Sequence, residues 1–336
     1  MDMDTFLTTL YVWIDEWYTS EIGESVKRKR GPAPEMSDSE VMTVAIAGAW
    51  RGGTPWQSER GVVRYMQAHG RQWFPRMLGR SRFNERVRQL WGVLVKLQQA
   101  LAMHLDAQNS SYEVVDCTPL PSCSTAQSLH KRHWLWWGSR GYGGTNGWYW
   151  GDQLLLSVTP HSVITGWLIG PAHVDDRVML QSLLSMRAGQ AEFITPQPWR
   201  PWRRLAPPAF MGPHLAAGSP QSARLYLADK GFNGYRWQCH WYQHYCVSVL
   251  TAPPRSATPR HIAWPRVWST WFSSLRLVVE TTLATLTTCF DLHHLKAHSR
   301  WGQYTRVALA VAAHNWGILL NRQLDRPHLS HATLLL

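Results

Sequence analysis

A mixed α/β core behind an all-helical N-terminal region is the fold this sequence predicts, and three observations predict it. Runs at 112–115, 153–159, 163–169, 225–228 and 246–250 are apolar, of strand length and bounded by turn formers. Segments with apolar residues at helical spacing follow and separate those runs, the arrangement of a mixed α/β domain. Residues 1–105 carry helical periodicity and no strand-like run. A chain of 336 residues suffices for one large domain with a smaller one, or for two of average size.

The N-terminal region opens with a stripe of Phe6, Leu10, Trp13 and Trp17. Ser37 and Glu40 form a capping-box pattern before Val41, Val44, Ala45 and Ala49, which predicts a second helix that stops at the Gly-Gly-Thr-Pro break after Arg51. A helix over 58–69 closed by Gly70 comes next. Phe83, Val87, Leu90, Leu94, Leu97 and Leu101 alternate by four and three, which predicts one long helix with a single buried seam and leaves Arg82, Arg86, Arg88 and Lys96 off it. Residues 51–100 hold ten Lys or Arg against two Glu. That segment reads either as a helix-turn-helix region that binds DNA or as a helical bundle with a solvated basic face.

The core begins with the strand at 112–115, which Asp116 ends. A loop dense in Trp, Gly and Arg covers 131–149, and the strands 153–159 and 163–169 are joined at Pro160 to Ser162 as a hairpin. Asp175 and Asp176 open a helix to about Met186, where the helix dipole favours acids. Residues 190–223 contain seven prolines and three arginines without periodicity and read as a surface excursion. Asp229 ends the strand 225–228, Lys230-Gly231 turns the chain, and a helix near 235–244, a strand at 246–250 and a Pro-rich loop to 265 follow. Leu275, Val279, Leu283 and Leu286 place Glu280 on a helix from about 270 to 290, and a last helix runs over 304–322.

Composition narrows the function classes. A net charge of +12 favours a polyanionic partner. No apolar run reaches the ~20 residues of a membrane span, and the acidic N-terminus is unlike a secretory signal, which predicts a cytoplasmic protein. Cys117, Cys123, Cys239, Cys246 and Cys289 are odd in number and lack a Cys-x-x-Cys pair, so free thiols are expected rather than disulfides or a zinc finger. His293, His294 and His298 read as solvated or DNA-facing imidazoles. The glycines between 138 and 147 match no phosphate-cradling motif, and Cys117 lacks a His base in register, so neither nucleotide-driven nor thiol-nucleophile chemistry is indicated.

The chemistry-bearing feature is a trio of carboxylates, Asp116, Asp229 and Glu280, two at expected strand ends and one on an expected helix. Oxygen donors of this kind suit Mg²⁺, and paired ions about 4 Å apart can clamp both oxygens of an in-line phosphoryl displacement. With the Ala-Asp-Lys-Gly-Phe segment around Asp229 and separations of 229 − 116 = 113 and 280 − 229 = 51, residues 38–321 resemble the bacterial insertion-sequence transposases of the DDE class. Many of these carry Tyr, two residues, Arg, three residues, Glu, six residues, Lys; Arg276 and Glu280 fit, while Ser273 and Thr287 stand where Tyr and Lys would be. Gln153 likewise stands where a lysine is common.

The resemblance implies a ribonuclease-H-like mixed sheet flanked by helices over 106–336, behind a DNA-binding region at 1–105. It implies that Asp116 bridges two Mg²⁺ ions while Asp229 and Glu280 hold one each, with Mn²⁺ able to substitute. Arg276, Lys230, Arg82, Arg86 and Arg88 become the expected DNA contacts, with Arg276 at a phosphate beside the scissile bond. The implied partners are double-stranded transposon ends and target DNA, bound by a dimer or larger oligomer in the bacterial cytoplasm and nucleoid, and no membrane. The departures at Gln153, Ser273 and Thr287 keep open a DNA-binding repressor or architectural protein that has lost strand transfer, and a stand-alone nuclease remains a third reading.

Overall fold

The computed structural model describes residues 1–22, 34–124, 138–143, 147–188, 224–253, 264–295, 297 and 299–335. The excursion expected at 190–223, much of the loops at 131–149 and 252–265, and His298 lie outside them. The chain divides into two compact units, one of 1–101, 285–292 and 301–336, the other of 102–284 and 293–300. The C-terminal helix thus groups with the N-terminal helices, where the sequence suggested a single boundary near 105.

In the first unit, α1 (Met3–Glu21) buries Phe6, Leu7, Leu10 and Ile14, and its Asp2 cap accepts a hydrogen bond from the Thr5 amide. The stripe is rotated from the expected one: Trp17 is half-buried, and Trp13 lies 5.6 Å from the ring of Trp316. In α2 (Asp38–Ala49) the capping box forms, with the Ser37 hydroxyl accepting from the Glu40 amide and the Glu40 carboxylate accepting from the Ser37 amide. Ser58 caps α3 (Glu59–His69), which ends at Gly70. A side chain at Gly70 would run 2.8 Å from the Met66 carbonyl oxygen, so glycine is required where the chain turns away.

The seam from Phe83 to Leu101 is buried as expected, but two helices carry it, α4 (Arg80–Gln89) and α5 (Trp91–His104). At Leu90 the amide is shared between the Arg86 and Arg88 carbonyls, and the ladder breaks for one residue. The final long helix, α9 (Arg300–Gln323), is buried on nearly every side from Gln303 to Asn321. A helix without a polar face must be enclosed by others, which accounts for its place among the N-terminal helices.

The second unit is a six-stranded mixed sheet with helices. Strand β1 (Glu113–Ser124) is central: it runs antiparallel to β3 (Gly147–Val158) and parallel to β5 (Arg224–Ala228). Beyond β3 lies β4 (Ile164–Pro171), and beyond β5 lies β6 (Val247–Thr251), parallel to it. The short β2 (Ser139–Gly143) pairs antiparallel with the start of β3, so part of the expected Trp- and Gly-rich loop is strand. The β3–β4 turn forms as expected, with Ser162 at φ 64° and the Thr159 amide bonded to the Val163 carbonyl at 2.9 Å.

Two helices, α6 (Asp176–Arg187) and α7 (Tyr235–Tyr245), pack on the sheet. Val115, Leu155, Leu168, Tyr226 and Val249 from the strands meet Met179, Leu180, Leu183, Leu184 and Trp241 from the helices in one core. The helix carrying Glu280 is α8 (Arg266–Phe290), and no described helix is long and apolar enough to cross a membrane.

Candidate active site

Asp116 does not end its strand. It is the fourth residue of a strand of 12, because β1 continues through Pro119 and Pro121 along β3. Proline is tolerated there because β5 leaves β1 after Val115, which opens one flank of β1 as an edge. The two aspartates converge through this register. Val115 pairs with Ala228 on the parallel strand, so the next residues, Asp116 and Asp229, leave the paired zone side by side. Neighbouring strands lie about 4.8 Å apart, which puts the two carboxylates within reach of one shared cation.

The segment after β5 holds Asp229 in place. Lys230–Phe232 make one tight 3-10 turn, closed by the Phe232 amide on the Asp229 carbonyl at 3.0 Å. Phe232 is fully buried in the sheet–helix core, while Lys230 is exposed at the turn. Gly231 leaves room for a neighbour, since a Cβ there would stand 3.0 Å from an Asp176 carboxylate oxygen.

Arg276 of α8 supplies the cation. Its guanidinium donates to Asp229 at 3.2 Å and stands 3.7 Å from Asp116, and its side chain is 16% exposed. Where the resemblance implied a phosphate contact for this residue, the structure places its guanidinium between two carboxylates. Burial pushes the Asp116 carboxyl up to about 6, against the opposing pull of Arg276 and of the Cys117 amide, which donates at 2.9 Å; Asp229 and Asp176 push the same way as burial. Burial also raises Asp176, whose carboxylate accepts from the Cys117 thiol. That thiol is itself driven well above its usual range by burial and by Asp176, Asp116 and Asp175, which disfavours the thiolate form at Cys117.

Sequence reasoning set Asp176 aside as a helix-start acid, yet it belongs to this electrostatic cluster. The doublet was the available signal. Asp175 does the capping, accepting from the Arg177 amide at 2.9 Å, which frees Asp176 to face β1 and the Asp229 turn. Glu280, one turn beyond Arg276, is exposed. Among the described residues no three carboxylate, imidazole or thiol side chains converge to hold a metal ion. The fit to a divalent cation therefore rests on Asp116 and Asp229: both are hard oxygen donors, and both already share one positive group.

The expected DNA contacts differ in availability. Arg86 pairs with Asp38, which also accepts from the Tyr18 hydroxyl at 2.6 Å, so its charge is spent on joining helices. Arg82 makes an open pair with Glu35 at 3.5 Å, and Arg88 is exposed. Gln153, where a basic residue was the family expectation, turns inward and donates to the Val174 carbonyl at 2.6 Å. Comparison with protein-family models, curated proteins and solved structures gives no match.

Proposed function

We propose that the chain is a DNA transposase of the DDE class, which binds the terminal inverted repeats of its element, cuts at their ends and joins them to target DNA. The observation that carries this reading is the in-register pair of Asp116 and Asp229 on neighbouring parallel strands, joined by the guanidinium of Arg276. The order strand, hairpin, helix, strand, helix, strand, helix in the second unit supports a ribonuclease-H-like core. The resemblance of residues 38–321 adds the reaction class.

Asp116 and Asp229 would hold Mg²⁺ or Mn²⁺, with Glu280 as the third ligand that the resemblance implies. Bound divalent ions supply charge neutralisation at the phosphodiester and a water activated for attack. The chain's own residues position the pieces. The Phe232 anchor fixes Asp229, the Cys117 amide orients Asp116, and the buried setting of Asp116 strengthens its affinity for any cation that enters. Arg276 must exchange at least one carboxylate for a phosphate oxygen to reach substrate, and its planar fork suits that exchange.

A second reading, a DNA-binding protein without strand transfer, is favoured by one observation: Arg276 already occupies the space between the two aspartates while Glu280 stands exposed. Incubation with repeat-bearing DNA separates the two. Cleavage that requires Mg²⁺ and joined product support the transposase, cleavage without joining indicates a nuclease, and binding alone indicates the second reading.

A further inference from the structure

A cleft of about 350 Å³ in the first unit is lined by Arg60, Val63, Arg64, Gln67 and Arg80. Arg60 and Arg64 stand four residues apart on α3 and therefore on one face, where like charges repel. Arg80 opens α4 on the other wall. Gln67 ties the walls together by donating to the Leu78 carbonyl at 3.3 Å, and Val63 is buried beneath. Among the described residues no acid lines the cleft. Glu59, next to Arg60 in the chain, is engaged with Arg306 at 3.0 Å. Three guanidiniums thus face one concavity without a counter-charge among the described residues.

The start of α4 adds to the same field. Its cap, Gly79, makes no side-chain hydrogen bond to the first turn, and the first turn holds no acid, so neither offsets the positive end of the helix dipole. A Cβ at Gly79 would meet nothing within 4 Å, which leaves the approach open. An anion in the cleft would relieve the repulsion between Arg60 and Arg64, pair with Arg80 and receive the helix end.

We propose that this cleft seats backbone phosphate of duplex DNA, and that Arg60, Arg64 and Arg80, rather than Arg82 and Arg86, make the main phosphate contacts of the first unit. The assignment rests on the reading of the chain as a DNA-binding enzyme. The cleft is open and all three arginines are exposed, which suits a long polyanion laid across it; the +12 net charge of the chain favours the same partner. Such contacts fix orientation on the duplex and carry no sequence information of their own.

The test is binding of a fluorescein-labelled random duplex to the full chain in EDTA, followed by anisotropy across a salt series. Replacing Arg60→Gln, Arg64→Gln and Arg80→Gln together should weaken binding at least about tenfold near 0.1 M salt and flatten the log–log salt slope by about 2 to 3, since each phosphate contact contributes about 0.9. The triple lysine variant should keep most of the slope, and Arg82→Gln should change it by about half a unit or less. A triple glutamine variant that unfolds at the wild-type temperature and binds with the wild-type slope overturns the assignment. So does protection of the cleft by inorganic phosphate with DNA binding unaltered in that variant, which would mark a small-anion site. If the wild-type chain binds no duplex at all, the DNA reading itself falls; if wild type binds and the variant matches it, only the cleft does.

Discussion

Glu113 and Asp116 stand three residues apart on β1, the first buried and the second part-buried with its side chain 22% exposed, and their surroundings drive them in opposite directions. Burial pulls the Glu113 carboxyl up, but the Arg187 charge and hydrogen bonds from Ser157, Arg187 and Thr165 overcome it and hold Glu113 below the usual carboxylate range. Arg187 bonds it at 2.6 Å and Thr165 at 2.9 Å, and Arg187 is in turn bonded to the Tyr226 hydroxyl. Asp116 has one backbone donor and a guanidinium at 3.7 Å, too little to offset burial, so its carboxyl rises to about 6. A buried acid with a full set of donors is a fixture of the fold. One left short of donors keeps capacity for another cation, which is what a catalytic carboxylate requires.

The largest expected effect falls on the satisfied acid. Arg187→Met alone strands a buried carboxylate and should cost about 3–5 kcal/mol in urea unfolding, whereas Arg187→Met with Glu113→Leu should recover most of that loss. If the single and double variants are equally destabilised, the network is no fixture and the contrast breaks. Asp116→Asn should move stability the other way. The folded pKa of Asp116, about 6, exceeds its reference value of 3.8, so its stabilising contribution is full below about pH 4 and is lost as pH rises through 6. Removing the charge should therefore raise unfolding free energy at pH 7 by about 1–3 kcal/mol in metal-free buffer. A lower melting temperature for Asp116→Asn at pH 7 would contradict the assignment of burial as the dominant cause.

Arg276→Lys sharpens the comparison at the cation between the aspartates. Lysine keeps the charge but cannot span two carboxylates with a fork, so initial cleavage rates in Mg²⁺ should drop about tenfold or more, and near-normal rates would show that a point charge suffices. The smallest effect belongs to Asp175→Ala, which removes the α6 cap and should cost about 1 kcal/mol by thermal unfolding, with a modest loss of activity through the neighbouring Asp176. A loss as large as that from Asp116→Asn would move Asp175 into the reacting group.

Local chemistry explains which parts of this arrangement were legible in the sequence. The capping box at Ser37 and Glu40, the α3 boundaries at Ser58 and Gly70, and the β3–β4 turn are settled by residues within one turn of each other, and all formed where expected. The Ala-Asp-Lys-Gly-Phe segment was readable for the same reason, since a turn signal and a core anchor flank Asp229. The extent of β1 was not: the sequence ended the strand at Asp116, whereas it runs on through Pro119 and Pro121, which the end of β5 leaves on an open flank. Pairings between distant residues were also invisible: Arg86 looked like a surface charge until α2 brought Asp38 to it, and Asp176 looked like a dipole partner until the Asp229 turn came beside it. The enclosure of α9 by the N-terminal helices follows from its lack of a polar face, a property of the whole helix rather than of any motif in it.

The most direct test of the account is nicking of supercoiled plasmid DNA by wild type, Asp116→Asn and Glu113→Gln, each with Mg²⁺ and with EDTA. Wild type should nick only with the metal. Asp116→Asn should lose about a thousandfold or more in rate while unfolding no earlier than wild type, whereas Glu113→Gln should lose activity only in proportion to its lost stability. Nicking by Asp116→Asn at the wild-type rate, or metal-independent nicking by wild type, would contradict the claim that the in-register aspartates form the reacting site.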